Sequence, residues 1–191
     1  MEGFVNTETL LSVFVGVALA AACGFRVFVP MLVMSVASYT GHLSLSSGFE
    51  WIGSLPALIA FGAATVLEIA GYYIPWVDHL LDVVATPAAV IAGAVAMASS
   101  MVGLSPFLHW TLAIIAGGGV AGLIQAFTGV TRLASTATTG GVGNPVVSTA
   151  EAGGSITLSV LAILLPFVAA AIVCVVLVIA LRMLYKKFVH A

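Results

Sequence analysis

GVTRLASTATTGGVGNPVVSTAE, residues 129–151, is the most polar run in a chain of 191 residues that is 62% hydrophobic. It holds Arg132, Asn144, Pro145, Glu151 and eleven Ser, Thr and Gly residues. Apolar segments long enough to cross a bilayer flank it on both sides. Irregular backbone in lipid leaves N–H and C=O groups unpaired, so such a run lies in water or lines a polar cavity. Its low charge, one Arg and one Glu in the whole stretch, favours the lining of a site over an ordinary solvated loop.

The rest of the composition agrees. Charged residues make up 6% of the chain, against roughly 25% in soluble domains, too few to cover a water-facing surface. The expectation is an all-α polytopic integral membrane protein, a single transmembrane domain over residues 1–191. At roughly 20 residues per span there is length for about five or six crossings and none for a soluble module. Five basic against seven acidic residues, net −2, argue against a nucleic-acid partner. Cys23 and Cys174 fall in apolar segments and read as buried thiols, with no spacing that suggests a metal. No cofactor motif is present, Walker A included. The amino-terminal MEGFVNTETLL has no basic residue before its apolar run, so the first helix reads as retained and not as a cleaved signal.

Working outward, the apolar segments are 10–24, 55–73, 80–103, 107–127 and 156–181, the last with Pro166 as a kink. A short piece at 27–41, interrupted by Pro30, follows Arg26. The pattern predicts about five transmembrane helices plus two short re-entrant or broken helical segments, the second being the polar stretch. Arg26 and Arg132 each follow an apolar helix, which suggests an internal repeat with halves 8–75 and 107–187 joined by helix 80–103. If the short pieces dip in and return, the halves are inverted around a midplane site, as in many transporters. If they span fully there are seven crossings and the repeat is parallel; the polarity of the second piece favours inversion. Arg182, Lys186 and Lys187 place the carboxyl-terminal end in the cytoplasm, and an odd crossing count places the other end outside.

Charged residues at membrane depth cost roughly 2.5–3.5 kcal/mol by insertion scales, which makes each a site candidate. Arg26 is either a snorkelling interfacial arginine or a buried partner of Glu68 or Glu151. Glu68 lies about 7 Å inside the interface marked by Tyr72, Tyr73 and Trp76, counted at 1.5 Å per residue, and reads as a carrier or as one half of an ion pair with Arg26 or Arg132. Asp78, His79 and Asp82 form an acidic turn that suits an entrance or helix capping. Within the central stretch, Gly140-Gly141 and Gly143-Asn144-Pro145 are helix breakers. They predict Asn144 as the N-cap of a short helix from Pro145, with Ser148 and Glu151 on one face. Thr138 and Thr139 add neutral hydroxyls to the same substrate-binding set. Gly118-x-x-x-Gly122 is a small-residue face that suits close packing within the chain or a homo-oligomer contact.

The segments GFRVFVP (24–30), EIAGYYIPWVDHLLD (68–82) and TRLASTATTGGVGNPVVSTAE (131–151) resemble a bacterial multi-pass family, domain of unknown function 4126 (DUF4126). The resemblance spans nearly the whole chain. It implies a polytopic inner-membrane protein and no particular activity. The residues themselves point to a transporter or channel for a small polar solute or ion, with the lipid bilayer as the other partner. The alternatives are a membrane-embedded enzyme acting on a lipid or prenyl phosphate through Asp78, His79 and Asp82, and a structural or assembly subunit.

Overall fold

Proline placement marks where the helices begin. Six of the seven prolines (30, 56, 75, 106, 145 and 166) fall within the first three residues of a helix, and only Pro87 is interior. The missing N–H costs nothing there, because first-turn donors have no partner in the helix. The computed structural model describes residues 6–189. They form seven helices: α1 (Thr7–Phe25), α2 (Phe28–Tyr39), α3 (Leu55–Gly71), α4 (Pro75–Ser100), α5 (Pro106–Thr139), α6 (Asn144–Leu164) and α7 (Pro166–Val189). Five of them, α1 and α4 to α7, contain stretches long and apolar enough to cross a membrane. Large apolar side chains such as Leu67, Val83, Phe107 and Ile115 stand exposed around the outside, as a lipid-facing surface requires.

Contacts along α1 give the direction of each neighbour. Val13 and Val17 pack against the cluster that holds Ala113 of α5, whereas Gly24 faces Ala121 and Ile124, so α1 and α5 run the same way. Ser155 of α6 donates to the Ala22 carbonyl and Arg26 to Ser148, so α6 runs opposite. Gly16 abuts Met97 and Gly103 approaches Thr9, so α4 also runs opposite. Phe14 meets Phe167 edge-on at 5.3 Å between ring centroids, and α7 then packs back along the Gly119–Thr139 part of α5. α2 and α3 form a hairpin. Its base is at Glu68 and Val27, and its linker reaches the far end of α4, where Ser46 donates to the Ala98 and Ser99 carbonyls.

Close approach through missing side chains builds the centre. Ala18, Ala20, Ala22, Ala89, Ala96 and Ala121 are buried around α1. A Cβ placed on Gly117 would lie 2.6 Å from the Gly93 carbonyl oxygen. Without a hydrophobic drive in lipid, contact of this kind supplies helix association. Gly118 and Gly122 pack on Val90 of α4, inside the chain.

Four expectations need correction. The first half of the polar stretch is helical: α5 runs on to Thr139, because Thr, Ser, Ala and Leu permit a helix and only Gly140 and Gly141, with φ of 64° and 91°, stop it. The second short piece is the 21-residue α6, so neither a re-entrant segment nor a short helix follows Pro145. Pro166 starts a separate helix after Leu165 (φ −140°, ψ 67°) and does not kink a continuous one. Finally, α1 and α5 run parallel, which opposes an inverted pair of halves.

Candidate functional site

α1 ends at Arg26, which is extended (φ −148°, ψ 131°), and this break tucks the guanidinium between helices. Four other helices deliver polar side chains to the same place: Glu68 and Tyr72 at the end of α3, Asp78 and Asp82 from the first turns of α4, Arg132 and Thr136 from α5, and Asn144, Ser148 and Glu151 from α6. The three on α6 follow the i, i+4, i+7 spacing that puts them on one face. Arg26 and Arg132 are only 2% and 4% exposed.

Glu151 is the hub. Arg132 donates to it from Nε at 3.0 Å and from Nη2, a two-pronged grip, the geometry that makes arginine–carboxylate pairs strong. Arg26 Nη2 lies 3.2 Å from the same Oε2 and donates to the Ser148 carbonyl at 3.0 Å and to its hydroxyl. Arg132 Nη1 reaches Asp78 at 2.6 Å and Asp82 at 3.5 Å. Asn144 donates to Asp78 Oδ2 at 3.3 Å and to Thr136 at 3.1 Å. Both guanidiniums stack on the Tyr72 ring, 3.7 and 4.1 Å from its centroid, a cation–π contact that strengthens when desolvated.

Glu68 is buried beside this network but answers a different need. Its carboxylate accepts from Val27 N at 2.8 Å and Phe28 N at 3.1 Å. Helix α2 has no Ser, Thr, Asp or Asn at its start, so its orphan donors and positive dipole end are capped from another helix. The expected ion pair with Arg26 or Arg132 is therefore replaced by backbone capping. Asp78 departs the other way: it serves Arg132 and Asn144 instead of capping α4.

Asn144 is the first residue of α6 and its side chain turns into the network; it does not cap, and Gly143 holds the preceding position. Thr138 and Thr139 stay outside. Their hydroxyls return to the Ala134 and Ser135 carbonyls of their own helix. The side chain of His79 lies outside the described residues. The network is also not at mid-depth. Glu151 is seven residues from the Asn144 end of α6 and thirteen from Leu164, about 10 Å against about 20 Å.

Three hollows meet at the network. A cleft of about 360 Å³ opens beside the Gly140–Val142 turn and is lined by Tyr72, Tyr73, Asp78, Thr136 and Asn144. A groove of about 460 Å³ between α4 and α5 is lined in part by Asp82, Gln125, Arg132 and Thr136. An apolar groove of about 550 Å³ separates α3 from α4. Gln125 escaped the sequence reading, and Tyr72 entered it only as an interface marker. Tyr72 sits one turn after Glu68, and Gln125 two turns before Arg132, so helical spacing would have found both had α5 been carried through the stretch.

This arrangement defines a class: a polytopic α-helical membrane protein with a buried ionic network near one end of its bundle. The chain belongs to the family described as Domain of unknown function (DUF4126), whose model matches residues 13–186. No curated protein and no solved structure matches it.

Proposed function

We propose that the chain is a transporter for a small polar solute or ion. The cleft beside the Gly140–Gly143 turn is its open vestibule, and Arg26, Arg132, Asp78 and Glu151 form the vestibule floor. The observation that carries this reading is the convergence of five helices on a buried ionic network that shares Tyr72, Asp78, Thr136 and Asn144 with the lining of an open cleft. Buried ion pairs gain little stability over an apolar core, so a fold that needed only packing has a cheaper solution in the Ala and Gly contacts it uses elsewhere. Arg182 and Lys186 stand exposed on the last turns of α7, at the vestibule end, and the positive-inside rule turns that end to the cytoplasm. The α2–α3 hairpin and its linker complete seven passes. Beyond the network the close-packed apolar core around α1 closes the path, so passage requires a second conformation and an open channel is disfavoured.

The test is flux into proteoliposomes. Purified chain and its Arg132→Gln variant are compared by charge displacement and solute uptake across monovalent cations, anions, amino acids and polyols. Wild-type flux of one class, lost in Arg132→Gln, is the expected result. Wild-type vesicles no leakier than protein-free ones to every class would sink the proposal. The structural-subunit alternative would then stand. Of the lipid-enzyme candidates, Asp78 and Asp82 both turn to Arg132.

A further inference from the structure

α4 and α5 run antiparallel and touch at separate levels. Gly122 lies against Val90, and Arg132 Nη1 reaches Asp82 at 3.5 Å. Between these contacts the seam opens into the groove of about 460 Å³, a size within the roughly 300–1,000 Å³ of small-molecule sites. Gly129 keeps it open: a Cβ there would meet nothing. It lines the groove together with Gln125 and, from α4, Thr86. The rim residues Val83 and Leu133 are 76% and 63% exposed, so the groove opens sideways to the surface that faces lipid. Gln125 is the group that the fold itself does not use. It is 7% exposed, and its amide makes no hydrogen bond among the described residues. Neither amide atom is sealed from the surface, so the amide ends in the groove. It lies seven residues before Arg132, about 10 Å further from the vestibule end at 1.5 Å per residue. That is deep in a hydrocarbon layer about 30 Å thick, where a polar group without a partner is costly.

We infer that this groove binds the small neutral head of a membrane-soluble amphiphile, a prenyl quinone or a prenyl alcohol, hydrogen-bonded to Gln125 between α4 and α5. Depth selects the class. The charged head of a phospholipid stays at the interface, because a charge this far inside is expensive, whereas a neutral carbonyl or hydroxyl head reaches it. The wall chemistry agrees. An amide both donates and accepts, so Gln125 serves a quinone carbonyl or an alcohol hydroxyl equally. Thr86, exposed on the α4 side, adds a hydroxyl of the same dual character and no charge. The apolar tail leaves over Val83 and Leu133 into the bilayer.

Native mass spectrometry of the purified full chain in non-ionic detergent tests this with probes that share one decyl tail: decyl-benzoquinone, decanol and decyltrimethylammonium. A neutral probe should be retained and the cationic one lost. The quinone ahead of decanol marks a carbonyl head, and the reverse order marks an alcohol. Gln125→Leu should lower retention of the neutral probe by about tenfold, the worth of one hydrogen bond made out of water. Its thermal stability should be unchanged or raised, because no partner is lost. Gly129→Leu, which fills the groove from open space, should abolish retention. Undiminished retention in either variant, equal retention of all the probes, or retention of none would overturn the site. So would a wild-type dimer that becomes a monomer in Gln125→Leu, since the amide would then belong to a second copy. A Gln125→Cys thiol that reacts with a membrane-impermeant maleimide as fast as a fully exposed one would overturn it too, with water as the partner. Binding is read here without flux, and neither Gln125 nor Gly129 belongs to the vestibule floor, so this site and the transport reading can fail separately.

Discussion

Arg26 and Arg132 stack on the same tyrosine and share Glu151, yet they are held very differently. Arg132 spends its donors on three carboxylates. Arg26 uses one nitrogen, Nη2, for Ser148 and Glu151, while its Nε and Nη1 are buried without a hydrogen-bond partner among the described residues. One arginine is the centre of a closed network; the other is wedged at the end of α1 by packing and by the tyrosine ring. The difference teaches that burial of a charge does not measure its importance to the fold. A second contrast runs along α1 itself, from this ionic end to a middle held by Ala and Gly.

The sharpest way to break the comparison is Glu151→Ala, which strips both arginines of their common carboxylate. Leaving a buried charge uncompensated costs about 3–5 kcal/mol, so the variant should lose its monodisperse elution peak or unfold well below the wild type on heating in detergent. Near-normal thermal stability would mean the network is dispensable. The close α4–α5 contact beside the middle of α1 is probed by Gly93→Val. The added atoms meet the Gly117 carbonyl and the Ala121 methyl, and overpacking of this kind costs about 1–3 kcal/mol. Unchanged stability there would show that α4 and α5 are less tightly joined than drawn.

Glu68→Leu should cost about 0.5–2 kcal/mol, the range for losing a helix cap, with proteolysis rising in α2 and not across the whole chain. Glu68→Gln keeps acceptor capacity and should cost less. Smallest is Arg26→Met, expected to shift stability by under about 1.5 kcal/mol as a substitution of similar volume, while Arg132→Met is far more damaging. Equal losses for the two arginines would erase the distinction between them.

These residues also show what could be read from the chain alone. The expense of a charge in lipid was enough to mark Arg26, Glu68, Arg132 and Glu151 as site candidates, with Arg26 left between interface and interior, and helical spacing to place Ser148 and Glu151 on one face. Polarity misled in the central stretch: hydroxyl-bearing residues such as Thr138 and Thr139 satisfy themselves on their own helix, so a polar run need not be a break. Helix direction was out of reach, since crossing parity is the same for five or seven passes. Glu68 shows a further limit. A carboxylate deep in an apolar helix announces that it needs a partner, but backbone N–H groups forty positions away carry no mark in the sequence.

One feature of α5 has an angular meaning. Between Ala113 and Gly118 the helix widens to a π turn, which holds one more residue than the α-helical path would. Each residue advances an α-helix by about 100°, so the extra one sets the phase of everything before it relative to everything after. The segment from Phe107 to Leu112 carries Trp110 to within 6.3 Å of the Phe49 ring, while Gly117, Ala121 and Arg132 keep their own face on α4 and α1. Deleting Ala116 would restore a regular helix and turn the two halves by about 100° against each other. Either Trp110 swings off Phe49 or Gly117 leaves its groove on Gly93. The widened turn is what lets a single helix satisfy both ends of the bundle at once.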